Sequence, residues 1–204
     1  MTGKQADNPH AAAERHLKHA DPILADVIRK VGPCRMVRRG GRFEILARSI
    51  VSQQISTAAA ATIFRRLKGL LPGARLSAAG IDSVSDDQLQ QAGLSAQKRR
   101  YLRDLTEKTL NGAISFRSLP RLPDDAVIKT LTEVKGIGVW TAQMFLLAGL
   151  GRPDIFATGD LGLQNAMIDL YRIERSESEM NQIADAWKPW RSVASWYLWS
   201  HLDQ

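Results

Sequence analysis

The chain has 204 residues, enough for one large domain or two small lobes with a substantial core. Its 28 Lys and Arg against 21 Asp and Glu give a net charge of +7, which favours an acidic partner such as nucleic acid, although many soluble proteins share it. A single cysteine, Cys34, excludes an internal disulfide and any four-cysteine zinc or iron–sulfur site.

Cys34 reads as a buried thiol in a reducing compartment. No apolar stretch approaches the roughly 18 residues that cross a bilayer. Residues 1–10 are polar, lack the apolar centre of a signal peptide and read as a flexible tail. Beyond them helical spacing dominates and no alternating strand pattern appears, which predicts an all-α fold. Ala11–Lys30 carries Leu17, Ile23, Leu24, Val27 and Ile28, with Asp21-Pro22 as cap and first turn of a second helix and Gly32-Pro33 as its stop. Arg42–Leu71 places Phe43, Leu46, Ile50, Ile55, Ala59, Ile63 and Leu67 on helical spacing, breaks near Gln53–Ser56 and closes at Pro72-Gly73. Ser85 caps a short helix to Gln91, and Ser95 opens Ala96–Asn111, rich in Lys and Arg. Pro123-Asp124-Asp125 starts a helix to Val134, followed by Val139–Gly149, Leu161–Leu170, a helix from Ser176 to Ala186, and Trp190–Leu202. The count is about ten helices. They divide into a middle lobe of about 43–150 and a second lobe built from both termini, about 11–42 and 151–204, with a cleft expected between them.

The run Leu131–Ala142 (LTEVKGIGVWTA) is the most informative. Gly136-Ile137-Gly138 reads as a hairpin between two helices, because glycine permits a sharp turn and close approach of another molecule. Leu131, Val134 and Ile137 supply core anchors, Lys135 projects from the turn, and Thr141 is placed to cap the second helix. The amides past the hairpin lie at a helix N-terminus, where free N–H groups and the dipole favour an anion such as a DNA phosphate. Equally, a GxG between helices can be a plain connector. Asp160, twenty residues after Trp140, caps the next helix and is able to return to the same place.

LTEVKGIGVWTAQMF, followed by Asp160 in TGDLGLQ, resembles the helix-hairpin-helix DNA glycosylases, the HhH-GPD superfamily that carries a characteristic aspartate. Within it the chain is most similar to the 3-methyladenine DNA glycosylase II branch. Arg48–Ser56 (RSIVSQQIS) and Trp187–Trp199 (WKPWRSVASWYLW) agree, so the resemblance spans about residues 15–202. It departs in lacking the N-terminal sheet domain of some branch members. The resemblance implies a two-lobed helical enzyme with its active site in the cleft. It would act as a monomer on double-stranded DNA containing damaged bases, with no membrane partner. The expected compartment is a bacterial or archaeal cytoplasm, near the nucleoid, or a eukaryotic nucleus.

By this resemblance Asp160 is the catalytic carboxylate, stabilising the positive charge that builds on the sugar and orienting water. On its own residues it reads equally as the cap of the Leu161 helix. Relatives that also cut the strand carry a lysine nucleophile where Trp140 stands; an indole forms no Schiff base, so the resemblance implies a monofunctional enzyme that leaves an abasic site. The Trp140 face suits a cationic alkylated purine, with about 0.5–2 kcal/mol of cation–π attraction; ordinary core packing is the alternative. Met144, Leu161, Phe43 and Trp199 are the remaining base-pocket candidates, each also readable as core. Trp187, Trp190, Trp196 and Tyr197 read as helix packing.

Gln53, Gln54 and Ile55 fall where the family places its DNA wedge, with Gln54 at the intercalating position; the bland reading is a polar helix break. The phosphate grip would use the backbone of Gly136, Gly138 and Trp140 with Lys135 and Thr141. The family also implies a sodium or potassium ion on the backbone carbonyls of Thr132, Val134 and Ile137, with no other cofactor and no iron–sulfur cluster. His16 and His19 share a helical face without a third ligand, Asp154 reads as a loop residue, and Asp169 as a solvated helix position. Lys98, Arg99, Arg100 and Arg103 either follow a DNA backbone or are solvated. Two rival readings stay open: a DNA-binding module of this fold without chemistry, and a glycosylase for deaminated or mismatched bases.

Overall fold

The computed structural model describes residues 8–37 and 40–203, and among them every regular element is helical. The helices begin with α1 (Ala11–Ala20), α2 (Pro22–Val31), α3 (Arg42–Ser52), α4 (Thr57–Leu70), α5 (Ala78–Asp82) and α6 (Asp86–Gln91). They continue with α7 (Ala96–Leu110), α8 (Asp124–Thr132), α9 (Val139–Phe145), α10 (Leu161–Tyr171), α11 (Glu177–Asp185) and α12 (Arg191–Leu202). The fold is all-α, as the periodicity predicts. Helix α5 has no counterpart in that prediction, because five residues hold too little of a 3.6-residue period to show. Its cap is Ser77, whose hydroxyl accepts from Gly80 N–H at 3.1 Å. Helix α8 stops at Thr132, short of Val134, and α9 passes into a π-turn, Leu146–Leu150, instead of running on as α-helix.

The chain divides into two compact units, one of residues 1–38 and 151–204 and one of residues 39–150. In the first, α12 packs on α10 and α2, and α1 packs on α2. Asp21 knits this unit. Its Oδ1 caps α2 by accepting from Leu24 N–H at 3.0 Å, while Oδ2 accepts from Tyr171 Oη at 2.7 Å and Trp187 Nε1 at 2.8 Å. A buried carboxylate is tolerated when donors replace its water, and here three do. Trp187 and Tyr197 are fully buried, as helix packing predicts, and Trp187 meets Phe156 edge-on at 5.6 Å. Tyr197 donates to Glu14 Oε1 at 3.0 Å, and the same oxygen accepts from Cys34 N–H and Asn8 Nδ2, both at 2.8 Å. Burial pushes the Glu14 carboxyl up, but these three bonds and nearby Lys18 outweigh it and leave it below its ordinary value. Cys34 is buried as expected, and burial raises its thiol to about 11.

Of the tail expected at residues 1–10, residues 1–7 lie outside the described residues. Asn8 and His10 are not loose: Asn8 holds Glu14, and His10 Nε2 lies 2.8 Å from Met36 O. Asp154 is a loop residue as expected, paired with Arg191 at 2.7 Å. Asp169 is an exposed helix position as expected, and His201 Nε2 lies 2.8 Å from its Oδ2. Among the described residues no cluster of His, Cys, Asp and Glu could hold a metal ion. None of the helices is long and apolar enough to cross a membrane.

In the second unit α3 is central. Leu46, Ala47, Ile50 and Val51 are fully covered, and the helix packs on α4, α7 and α9. The basic helix α7 corrects the sequence reading, because three of the four cations Lys98, Arg99, Arg100 and Arg103 are turned inward. Lys98 Nζ donates to Val51 O at 2.7 Å at the C-terminal end of α3. Arg99 donates to Leu94 O and Asp86 at 2.9 Å, and Arg103 to Ile81 O at 2.8 Å and to Val84 O. Val51 O and Ile81 O belong to the last turns of α3 and α5, and Leu94 O and Val84 O to the loops that precede α7 and α6. Of the four, only Arg100 is an exposed side chain.

Candidate functional site

The hairpin lies in the second unit between α8 and α9. Leu131, Val134 and Ile137 are buried and anchor it, while Lys135 and Gly138 are exposed. Gly136 has φ +83°, and a Cβ there would fall 2.1 Å from the Tyr101 ring, so only glycine fits on both counts. The turn closes through Ile137 N–H to Val134 O at 3.0 Å, and Lys135 N–H donates to Asp104 Oδ2 at 2.9 Å. Asp104 also takes the Lys108 ammonium at 2.7 Å. Burial raises the Asp104 carboxyl, but the Lys108 and Lys135 bonds and charges prevail and hold it below its ordinary value. The cap of α9 is Gly138, with no side-chain cap bond. Thr141 is therefore not the cap: it lies three positions along α9 and is buried. The carbonyls of Thr132, Val134 and Ile137 offer oxygen donors of the kind a hard monovalent cation takes, Val134 O keeping one lone pair beyond its turn bond.

The break between α3 and α4 is a tight turn. Gln53 has φ −55° and ψ 132°, and Gln54 follows at φ +55°, the left-handed region that costs a residue with a Cβ about 1–2 kcal/mol. The two glutamines differ in role. Gln54 is exposed, whereas Gln53 is half-buried with its Nε2 donating to Gly136 O at 2.8 Å. Gln53 is thus bonded to the hairpin, and Gln54 is the exposed glutamine of the turn.

Trp140 is 47 % exposed, so its indole is not a core ring. It lines a concavity of about 510 Å³ with Ser49, Ser52, Gln53 and Gln54. Met144, one turn along α9, lines a neighbouring concavity of about 560 Å³ that shares Ser49 and Ser52 and includes Ile55, Arg48 and Phe64. Phe43 belongs to neither. It is buried edge-on against Phe116 at 6.3 Å, Phe116 in turn meets Phe145 at 6.1 Å, and Phe43 and Phe116 line a separate concavity of about 530 Å³ with Arg42 and Arg117.

In the first unit Asp160 is 8 % exposed and caps α10. Its Oδ1 accepts twice at 2.9 Å, from Leu163 N–H and from Trp199 Nε1. Gln164 Nε2 donates to Thr158 O at 2.8 Å and ties the preceding loop to the same helix turn. Gly162 makes room for this pairing, since a Cβ there would lie 3.0 Å from both Asp160 Oδ1 and the Trp199 ring. Leu161 is 58 % exposed at the first position of α10. Tyr101, Asp104 and Gly162 escaped sequence reasoning; the one available signal was that Lys98, Tyr101 and Asp104 recur every three residues along one face of α7.

Residues 47–192 match the family described as HhH-GPD superfamily base excision DNA repair protein. The chain belongs to this superfamily. Among curated HhH-GPD relatives it is similar to DNA-3-methyladenine glycosylase 1 of Schizosaccharomyces pombe, 31% identical over 194 residues, covering 92% of this chain and 85% of that protein. The HhH-GPD fold is shared with the crystal structure of a DNA-3-methyladenine glycosidase from Bacillus halodurans. That match has a TM-score of 0.84 and 35% identity over 95% of this chain and 88% of that one. A Schizosaccharomyces pombe 3-methyladenine DNA glycosylase in complex with abasic DNA matches with a TM-score of 0.83 and 29% identity, covering 95% and 98%.

Proposed function

We propose that the chain is a monofunctional base-excision-repair glycosylase that flips alkylated purines of the 3-methyladenine type from duplex DNA and hydrolyses their glycosidic bond. The observation that carries this is Asp160, a helix-capping carboxylate held by Trp199, in a chain of this superfamily whose relatives are named for that activity.

The second unit grips the strand. Backbone amides at Gly136, Gly138 and Trp140, with Lys135 beside them, bind a backbone phosphate, and the Thr132, Val134 and Ile137 carbonyls would hold a sodium or potassium ion, which would add positive charge there. Gln54 enters the stack as the base leaves, offsetting part of an extrusion cost of a few kcal/mol. The exposed Trp140 face receives the cationic base, and Met144 and Leu161 supply apolar surface. The first unit supplies the chemistry. The C1′–N bond breaks with its electron pair passing to the base, which discharges the alkylated ring and lets it leave neutral. The Asp160 carboxylate stabilises the cationic sugar and orients a water whose oxygen bonds to C1′. The proton of that water passes to Asp160 and then to solvent. Trp140 is no nucleophile, so the strand stays whole and an abasic site remains. The enzyme works as a monomer, in the cytoplasm at the bacterial or archaeal nucleoid or in a eukaryotic nucleus.

Incubation with methylated duplex DNA tests this reading. Free 3-methyladenine should appear, with strand breaks only after alkali. Binding without release would establish the non-catalytic DNA-binding alternative, and release of deaminated or mismatched bases alone would overturn the alkylated-purine substrate.

A further inference from the structure

The turn that carries Gln54 and the hairpin that carries Gly136 are 83 residues apart in sequence, yet one side chain joins them. Gln53 Nε2 donates to Gly136 O at 2.8 Å, from a half-buried position at the end of α3. Both partners are fixed independently by one face of α7. Lys98 holds the end of α3 through Val51 O at 2.7 Å. One turn on, the Tyr101 ring fills the space a Cβ would need at Gly136, and Asp104 holds the Lys135 amide at 2.9 Å. Gln53 closes this arrangement at the position beside Gln54, the exposed residue in left-handed conformation.

We infer that Gln53 is a positioning residue, a strap that fixes the distance between the wedge residue Gln54 and the phosphate-binding hairpin. This rests on the glycosylase reading above. A phosphate clamped by the hairpin sets the register of the strand, and a wedge tethered to that clamp enters at one step of the stack only. If the strap is cut, both parts keep their supports on α7, but the turn that carries Gln54 loses its direct tether to the hairpin and is held less firmly. The loss then falls on extrusion, the step whose cost depends on how firmly the lesion is paired.

The test compares excision of one alkylated purine in a fully paired duplex with excision of the same lesion opposite an abasic analogue, where little pairing must be broken. Gln53→Met keeps length and removes the donor; Gln53→Glu, which keeps polarity, serves if the methionine variant does not fold. The expected result is a loss about fivefold to tenfold greater on the paired duplex, the rate equivalent of one net hydrogen bond. An equal loss on both substrates would overturn the strap, because a merely structural role moves both alike. No loss on either would also overturn it and leave the glycosylase reading standing. Wild-type inactivity on both substrates would overturn that reading and the inference with it.

Discussion

Asp160 does two things with one oxygen. Oδ1 caps α10 and receives the Trp199 indole, so the carboxylate is held from its own helix and from α12. The cap was legible in the sequence, because an aspartate directly before an apolar-periodic run is a helix-start signal. The Trp199 bond was not: the two residues are 39 apart, and an aromatic near a C-terminus reads as packing. Trp199 stood among the base-pocket candidates for its ring, whereas the structure uses its N–H. Replacing it by phenylalanine separates the two. Trp199→Phe keeps an aromatic face and removes the donor, so kcat for 3-methyladenine release should fall about tenfold with KM little changed. A change confined to KM would assign Trp199 to base stacking instead.

At the scale of the element, the hairpin shows what sequence pattern conveys and what it leaves out. The glycines and the buried anchors Leu131, Val134 and Ile137 follow from local chemistry, whereas the exposure of Trp140 does not. The support from α7 does not. Lys98 and Asp104 look like members of a solvated charged face, and nothing local says that their partners lie on α3 and in the hairpin. Helical spacing likewise marks Phe43 as inward-facing without saying whether inward means core or cleft. The Asp104 carboxyl also gives the hairpin a pH dependence. Its value in the folded chain is below the ordinary 3.8, so its stabilisation is complete above that pH and is lost as pH falls through the lowered value. The protection of Lys135 N–H against hydrogen exchange, taken relative to the intrinsic rate at each pH, should therefore fall in acid below about pH 4. In Asp104→Asn, that acid-dependent loss of protection should disappear.

At the scale of the molecule, the all-α class and most helix positions were readable because amphipathic spacing and caps are local signals. The buried polar centre of the first unit was not, since Asp21, Tyr171 and Trp187 come from distant parts of the chain. Removing the Asp21 carboxylate strands a tyrosine hydroxyl, an indole N–H and a helix-terminal amide. Asp21→Ala should lower stability by about 3 kcal/mol or more, seen as a drop of roughly 6–12 °C in the unfolding midpoint. A shift under about 2 °C would show that water replaces those bonds cheaply.

The central claim is that one carboxylate, Asp160, serves the hydrolysis. Asp160→Asn retains an oxygen for Leu163 N–H and Trp199 Nε1 while removing the negative charge, which makes it the most direct test. Measured as 3-methyladenine released per minute from methylated duplex at saturating enzyme, the variant should be slower by about 10²–10³ while binding the same DNA. Release at the wild-type rate would contradict the account.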